Sequence, residues 1–266
     1  MTNMEYKYPR EDQKYTIEDL LNIMHELRDK CPWDSAQTHQ SLKQYLLEET
    51  YEVLEGIDDE NWEMMSSELG DLLLQIVFHS EIAARERHFD FSDVVDRISK
   101  KLVDRHPHVF GDLKVHSASD VQENWEHSKV VNENRKSILS GIPQQAPALL
   151  QAQRLQQKAA TVGFDWNEME PVLEKIEEEW QEFKTAVQKN DLIEIEKEFG
   201  DVLFSLVNLA RFKDVVAEDA LRQTNNKFIR RFQYIERQYN NDPKAIKKEP
   251  LETLDKHWND AKLADE

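Results

Sequence analysis

The sequence predicts an all-α protein that contains two similar helical domains. Only 6 of its 266 residues are Gly and 8 are Pro, and alternating runs typical of strands are scarce. Hydrophobic residues make up 39% of the chain, which is enough for modest helical cores. An acidic pattern at residues 48–71 also recurs 130 residues later. We therefore expect a tandem repeat of two domains of about four or five helices, each built on an acidic antiparallel helix pair.

The first domain is predicted to span residues 1–133. Thr16 is a good N-cap, with Asp19 at the third helical position, and this helix should end before Pro32. The other predicted elements are an acidic helix pair at about 41–87 with a turn at 56–61, helices at 93–105 and 119–132, and a loop at 106–111. The buried stripe of the pair's second helix is predicted to be Leu69, Leu72, Leu73, Ile76 and Val77.

A linker is predicted at residues 134–147, because Gly141, Pro143 and Pro147 stand there among polar neighbours. The second domain then spans residues 148–266. Its predicted elements are helices at 149–158, 219–239 and 251–263, an acidic pair at 171–213 and a loop at 240–250.

The repeated acidic pattern has the spacing of a metal site. The acids of the first copy are Glu48, Glu49, Glu52, Glu68 and Asp71. Those of the second copy are Glu178, Glu179, Glu182, Glu198 and Asp201. Residues three apart share a helix face, so two antiparallel helices would bring four carboxylates together. Such carboxylates repel one another unless a cation lies between them, and Mg²⁺ prefers oxygen ligands.

The alternative interpretation of these acids is an ordinary solvated helix face. Five acids at fixed positions would match by chance about 0.1 times in a chain of this length. Two matches in register are much rarer, which favours the metal site. Gly70 and Gly200 precede the last acid of each copy, and we expect a close approach of a helix or ligand at these positions.

Basic and aromatic residues follow the acids in both halves. Lys101 and Arg105 correspond to Lys227 and Arg231, each pair one helical turn apart. Such a pair can clamp phosphate oxygens, although a solvated face is the alternative. Trp125 corresponds to Trp258, and either ring could stack on a base or pack in a core.

Charge and cysteine content restrict the partners. With 34 basic and 53 acidic residues the formal charge is −19, which disfavours binding to nucleic acids and anionic membranes. The single Cys31 and the lack of an apolar signal segment favour a cytoplasmic location. His106 and His108 lack further ligands at zinc spacing and are interpreted as loop residues or phosphate contacts.

The two acidic runs resemble the EExxE and ExxD motifs of the MazG nucleoside triphosphate pyrophosphohydrolases. The resemblance covers nearly the whole chain. It includes residues 31–34 (CPWD), 105–110 (RHPHVF), 162–166 (VGFDW) and 227–232 (KFIRRF). It implies an all-α fold, dependence on Mg²⁺ with Mn²⁺ as a substitute, and a homodimer. It also implies hydrolysis of nucleoside triphosphates such as ATP to the monophosphate and pyrophosphate.

The resemblance assigns roles to residues of the C-terminal half. The implied metal ligands are Glu179, Glu182, Glu198 and Asp201. Lys227 and Arg231 would hold the triphosphate, and Trp258 would contact the nucleotide. Glu178, left over beside these ligands, is the candidate for orienting or deprotonating the attacking water. The candidates for a second site in the N-terminal half are Glu49, Glu52, Glu68, Asp71, Lys101, Arg105 and Trp125.

The two halves differ in their lysines. Lys175 and Lys197 have Tyr45 and Ser67 at the corresponding positions. Lys175 lies one turn before Glu179 on the same helix face. We therefore expect both lysines to bind nucleotide and the C-terminal half to be the main active site.

Three other functions compete with that of a broad-specificity hydrolase. One is a narrow-specificity enzyme for dUTP, damaged nucleotides or signalling nucleotides. Another is a non-enzymatic metal-binding or protein-interaction module. A di-iron bundle is disfavoured, because the sequence contains no Glu-x-x-His pair.

Overall fold

A computed structural model describes residues 14–113 and 137–264, and all regular elements within these ranges are helices. The chain divides into two compact units, Met1–His116 and Ser117–Glu266. The all-α tandem fold is therefore confirmed. The helix predicted at 119–132, with Trp125, lies outside the described residues, and the predicted domain limits stay a prediction.

The N-terminal unit is organised around one long helix hairpin. Its helices are α1 (Ile17–Lys30), α2 (Pro32–Ala36), α3 (Lys43–Asp58), α4 (Trp62–Arg85), α5 (Phe91–Arg105) and α6 (Pro107–Phe110). The acidic pair consists of α3 and α4, which pack along their length, while α1 packs against α4. The hairpin therefore places the two acidic runs of this unit side by side.

The C-terminal unit repeats this hairpin. Its helices are α7 (Ala148–Ala160), α8 (Met169–Lys189), α9 (Leu192–Phe212), α10 (Ala217–Gln238), α11 (Pro243–Ile246) and α12 (Leu251–Ala264). The acidic pair consists of α8 and α9, α7 packs against α9, and α10 packs against α12.

Local capping explains several helix boundaries. Thr16 and Asp19 form a capping box at the start of α1, as predicted. The same arrangement of Asp90 and Asp93 starts α5 at Phe91, two residues earlier than predicted. Both hairpins begin their second helix with an Asx cap, because the Asn61 side chain accepts a hydrogen bond from the Met64 amide and Asp191 caps α9.

The turn predicted at residues 56–61 is wrong at its beginning. Helix α3 continues through Gly56 to Asp58, and the chain reverses only at residues 59–61, where Glu60 has a φ of 50°. Gly56 is buried against α4, and a Cβ there would lie 3.0 Å from the Met65 nitrogen. Gly56 thus marks a close approach of two helices instead of a turn.

Three short helices were not predicted. Pro107–Phe110 and Pro243–Ile246 lie inside the predicted loops at 106–111 and 240–250, and Pro32–Ala36 lies in the connection after α1. Each begins with Pro, whose fixed φ suits the first helical position and whose missing N–H is not needed there. Pro was interpreted as a loop signal, although it also starts helices.

The predicted stripe on α4 is only partly buried. Val77 is fully buried and forms a core cluster with Met24, Leu42, Phe78 and Ile82. In contrast, the stripe residues Leu69, Leu73 and Ile76 are 44%, 36% and 39% exposed. Their helical periodicity identified an apolar face correctly, but nothing in the described part of this unit covers that face.

The close approach predicted at Gly70 and Gly200 is not found between helices. A Cβ at either position would have no neighbouring atom within 4 Å among the described residues. The glycine of close helix packing in the first hairpin is Gly56 instead. A ligand at Gly70 or Gly200 stays a prediction.

None of the described helices combines the length and the apolar character needed to cross a lipid bilayer. The cytoplasmic location inferred from the sequence stays a prediction.

We expect Gly56→Ala to destabilise the N-terminal unit by about 1 kcal/mol. The added methyl group meets the backbone of Met65, and such overpacking costs about 1–3 kcal/mol, against roughly 1 kcal/mol gained in helix propensity. Gly70→Ala is the matched control, because open space there leaves only the favourable propensity. Denaturant unfolding followed by circular dichroism measures both, and equal stabilisation by the two variants would contradict the close packing.

Candidate metal and nucleotide site

Three acids of the C-terminal hairpin converge on one point. Carboxylate oxygens of Glu179 and Glu182 on α8 and of Glu198 on α9 all lie within 4.8 Å of one another. Glu179 and Glu198 are each only 7% exposed, whereas Glu182 is open to solvent. Asp201, the fourth acid predicted to act here, is outside this group of three but lines a cavity that Glu179 also lines. An all-carboxylate donor set of this kind suits a hard divalent cation.

A similar group exists in the N-terminal hairpin, with different members. It contains Glu49 from α3 and Glu68 and Asp71 from α4, all partly buried and within 4.8 Å of one another. Glu52 is not one of the three but shares a hydrogen bond with Glu68. Each hairpin therefore brings three of its four predicted ligands together. The acid outside the group is Asp201 in the C-terminal hairpin and Glu52 in the N-terminal hairpin.

Two lysines contact the C-terminal acids directly. The Lys175 Nζ lies 2.7 Å from Glu179 Oε1 and 2.9 Å from Glu178 Oε1. The Lys197 Nζ lies 2.9 Å from Glu198 Oε1. Glu178, the candidate for orienting water, is therefore held by Lys175 beside the acid cluster.

Ion pairing, burial and repulsion shift the pKa values of several groups in this cluster. The hydrogen bond from Lys197 lowers the pKa of Glu198 below its ordinary value. The pKa of Lys175 is raised by its hydrogen bonds with Glu179 and Glu178. Desolvation and the nearby charges of Glu198 and Glu179 raise the pKa of Glu182. The cluster thus carries two acids paired with ammonium groups and one, Glu182, under repulsion.

The N-terminal acids have no lysine at the corresponding positions, and their pKa values reflect that. Desolvation, followed by repulsion from Asp71, raises the pKa of Glu49. Desolvation and the contacts with Glu52 and Asp71 raise the pKa of Glu68. In this copy, mutual repulsion disfavours the ionised forms of Glu49 and Glu68.

A cavity of about 600 Å³ adjoins the C-terminal acids. Its lining is mainly apolar and includes Leu155, Trp166, Val172 and Phe204. Three residues of the acid site, Lys175, Glu179 and Asp201, also line the cavity. A volume of this size is typical of a pocket for a small organic molecule.

The polar wall of the cavity was missed by the sequence analysis. Arg211 makes a two-pronged ion pair with Asp165, with distances of 2.9 and 2.5 Å, and also donates to Asn208 Oδ1. All three residues line the cavity. Asn208 lies two helical turns after Asp201, so the spacing along α9 could have suggested that it faces the same side. Arg211 lies three residues after Asn208 and belongs to no sequence motif that could have indicated its place in the cavity wall.

The basic pair predicted to hold the triphosphate lies on a different helix, α10. The Arg231 guanidinium lies 5.7 Å from the centre of the Trp258 ring, and Phe228 contacts the same ring at 5.1 Å. Lys227 lies one turn before Arg231. These three predicted nucleotide contacts, Lys227, Arg231 and Trp258, are not among the described residues that line the cavity.

The remaining candidates lie near the end of α5. Lys101 lines a shallow groove with Phe89 and Ile98, and Arg105 is the last residue of the helix. His106 donates from Nδ1 to the Leu102 carbonyl at 2.6 Å, which supports its interpretation as a structural residue. Trp125 lies outside the described residues.

Comparisons with known proteins identify the family. The sequence matches the MazG nucleotide pyrophosphohydrolase domain over residues 37–110 and again over residues 167–235. Both matches contain one complete acidic helix pair. The chain is 46% identical over 254 residues to the nucleoside triphosphate pyrophosphohydrolase/pyrophosphatase MazG of Thermotoga maritima, covering 94% of this chain and 97% of that protein.

Two further relatives have similar names. The chain is 42% identical to the nucleoside triphosphate pyrophosphohydrolase of Escherichia coli, over 92% of this chain and 97% of the relative. It is 40% identical over 148 residues to the nucleoside triphosphate pyrophosphohydrolase of Mycobacterium tuberculosis, over 55% of this chain and 45% of the relative. Because the family domain is matched twice and the similarity spans nearly full-length relatives, this chain belongs to the MazG nucleotide pyrophosphohydrolase family.

Proposed function

We propose that this protein is an enzyme that hydrolyses nucleoside triphosphates to the monophosphate and pyrophosphate, mainly in its C-terminal unit and with Mg²⁺ or Mn²⁺. The observation that carries the proposal is the meeting of three carboxylates and two lysines beside a cavity of small-molecule size. The names of the relatives support the reaction. The positions of the two lysines support the choice of the C-terminal unit.

The residues of the cluster fit a divalent metal ion. Glu179, Glu182, Glu198 and Asp201 would hold it, because oxygen donors from two facing helices suit Mg²⁺. When bound, Mg²⁺ neutralises phosphate charge and lowers the pKa of a coordinated water. The buried positions of Glu179 and Glu198 keep bulk water away from their oxygens.

The surrounding residues act on the two parts of the substrate. Lys175 and Lys197 would donate hydrogen bonds to phosphate oxygens, and Glu178 would orient the attacking water towards the α-phosphorus. The apolar cavity would receive the nucleoside, with Asn208 and Arg211 as its polar wall. Lys227 and Arg231 would add charge for the triphosphate, and Trp258 would contact the nucleotide.

We also propose a homodimer. Large apolar side chains on α9 remain exposed in the C-terminal unit, including Leu203 at 39% and Leu206 at 45%. Helix α4 of the N-terminal unit leaves Leu69 and Ile76 exposed in the same way. Apolar faces repeated along both hairpins are suited to pairing across a two-fold axis.

The first prediction concerns the products. With Mg²⁺ and ATP, anion-exchange chromatography should detect AMP and pyrophosphate as the primary products, and excess EDTA should abolish their formation because the carboxylates then lack their cation. Primary release of ADP and inorganic phosphate would contradict the bond assignment. Undiminished turnover in EDTA would contradict the metal.

The second prediction separates the two acid clusters. We expect Glu198→Ala to reduce kcat/KM about 100-fold or more, because it removes a metal ligand and the partner of Lys197. Glu68→Ala, at the equivalent position of the N-terminal copy, is the matched control and should change kcat/KM by less than about twofold. Steady-state pyrophosphate release measures both, with circular dichroism to verify folding. The reverse pattern would locate the main site in the N-terminal unit.

A third prediction follows from the opposite pKa shifts of these two acids. A raised pKa means that ionised Glu68 destabilises the folded state above that pKa, whereas both states are protonated below the ordinary value of 4.5. Glu68→Gln should therefore raise the melting temperature at pH 7, and the gain should vanish below about pH 4.5. Glu198 has a lowered pKa, so its ionised form stabilises the fold, and Glu198→Gln should lower the melting temperature at pH 7.

Thermal melts in EDTA at pH 7 and pH 4 measure these effects without competition from metal. Shifts of the same sign for the two glutamine variants at pH 7 would contradict the assigned protonation states.

The fourth prediction concerns assembly. Light scattering at micromolar protein should give the mass of a dimer, because pairing would cover the apolar faces of α4 and α9. Replacing Leu203 and Leu206 together with Glu should shift the mass towards the monomer, since buried unpaired charges are unfavourable. A monomeric mass for the unchanged protein would refute the dimer.

A further inference from the structure

The two lysines of the C-terminal site contact two of the acids that would hold a metal ion. Lys175 contacts Glu179 at 2.7 Å and Lys197 contacts Glu198 at 2.9 Å, and both carboxylates belong to the group of three converging acids. An ammonium group at this distance satisfies a carboxylate oxygen with a charge-assisted hydrogen bond. Two of the three acids are therefore already paired with cations from the same chain.

The lysines can leave more easily than the acids. The side chains of Glu179 and Glu198 are only 10% and 9% exposed, whereas those of Lys175 and Lys197 are 38% and 62% exposed. A lysine stem is long and flexible, so its ammonium group can move into solvent while the helix backbone stays in place. The acids are buried between the packed helices and have less freedom to move into solvent.

Each lysine also has a second, more exposed acidic neighbour. Glu178 lies 2.9 Å from the Lys175 Nζ, and Glu194 lies 3.5 Å from the Lys197 Nζ. Their side chains are 57% and 50% exposed. Each ammonium group thus has a partner nearby when it releases the buried acid.

We propose that Lys175 and Lys197 are exchangeable counter-ions that weaken metal binding at the C-terminal site until the phosphates of a nucleotide draw them away. This inference rests on the proposed function for the identity of the anionic ligand. In the exchange, each ammonium group trades a carboxylate oxygen for a phosphate oxygen, and the freed carboxylates become available to the cation. Metal and nucleotide then bind cooperatively. The nucleotide draws the lysines away from the carboxylates that the metal needs, and the metal displaces the lysines that the phosphates bind.

The N-terminal hairpin has no lysine counter-ions at the corresponding positions. Tyr45 packs against the core cluster of the N-terminal unit, and Ser67 has no charge. Lys175 and Lys197 act on metal affinity through Glu179 and Glu198, and we regard them as positioning residues with respect to the metal.

Manganese binding without nucleotide tests the proposal directly. The background is the double variant Glu68→Gln/Asp71→Asn, which removes the N-terminal cluster so that binding reports on the C-terminal site. Free Mn²⁺ is measured by its electron paramagnetic resonance signal during titration. We expect Lys175→Met and Lys197→Met each to tighten Mn²⁺ binding about threefold to tenfold, because the competing ammonium group is gone.

The matched controls separate this effect from a general loss of positive charge. Lys184→Met removes a lysine from the same helix but about 140° around its axis from Glu179, and it should leave Mn²⁺ affinity nearly unchanged. Lys175→Arg keeps a cation at the acid and should retain the weak affinity.

The nucleotide arm uses α,β-methylene-ATP, which cannot be cleaved between the α and β phosphates. After correction for Mn²⁺ bound by the analogue alone, measured without protein, it should tighten Mn²⁺ binding about tenfold in the background protein and much less in the Lys175→Met/Lys197→Met variant. The same double lysine variant should bind the analogue more weakly in the presence of Mn²⁺. Tighter metal binding together with weaker nucleotide binding in the methionine variants would distinguish counter-ions from residues that only maintain the fold.

Unchanged or weaker Mn²⁺ binding in the methionine variants would overturn the proposal, as would an absence of Mn²⁺ binding in every variant. Equal tightening by Lys184→Met would also overturn it, since the effect would then be general. If nucleotide hydrolysis is absent but the methionine variants still bind Mn²⁺ more tightly, the proposed function fails while the counter-ion role of the lysines stands.

Discussion

Repulsion between carboxylates on facing helices is the constraint that dominates both halves of this protein. Each hairpin brings oxygens of three acids within 4.8 Å of one another, and the repulsion between their charges opposes the packing of the two helices. The two copies meet this repulsion differently. In the C-terminal hairpin Lys175 and Lys197 pair with Glu179 and Glu198. In the N-terminal hairpin, which has no lysine at these positions, repulsion and desolvation raise the pKa values of Glu49 and Glu68.

The helix hairpin can withstand this repulsion because its connections and contacts are tight. In the N-terminal unit Gly56 lets α3 approach the backbone of Met65 closely. In the C-terminal unit the left-handed Asn190 and the capping Asp191 reverse the chain within two residues. A short, well-capped connection fixes the register of the two helices, and register determines which acids face one another.

The sequence predicted what depends on local chemistry and on repetition. Capping by Thr16 and the stop before Pro32 set the limits of α1, and the 130-residue offset revealed the two hairpins. Properties that depend on neighbouring elements were harder to predict. Periodicity showed that Leu69 belongs to an apolar face but not whether another element covers it. Arg211 reaches the cavity through its pairing with Asp165, 46 residues away in the chain, and no local pattern indicates such a contact.

Duplication suggests how a chain with a formal charge of −19 would bind an anionic substrate at one location, as the proposed function requires. A triphosphate is repelled by an acidic surface at long range, and salt screens much of that repulsion beyond about 10 Å. At short range, individual lysines decide the outcome, since each charge-assisted contact contributes roughly 1.5–3 kcal/mol. The copies share their acids, so the acids alone cannot give one site a preference for phosphate. Under the proposed function, Lys175 and Lys197, where the other copy has Tyr45 and Ser67, would supply that preference. The N-terminal hairpin would then be free to serve folding and assembly with the same helical framework.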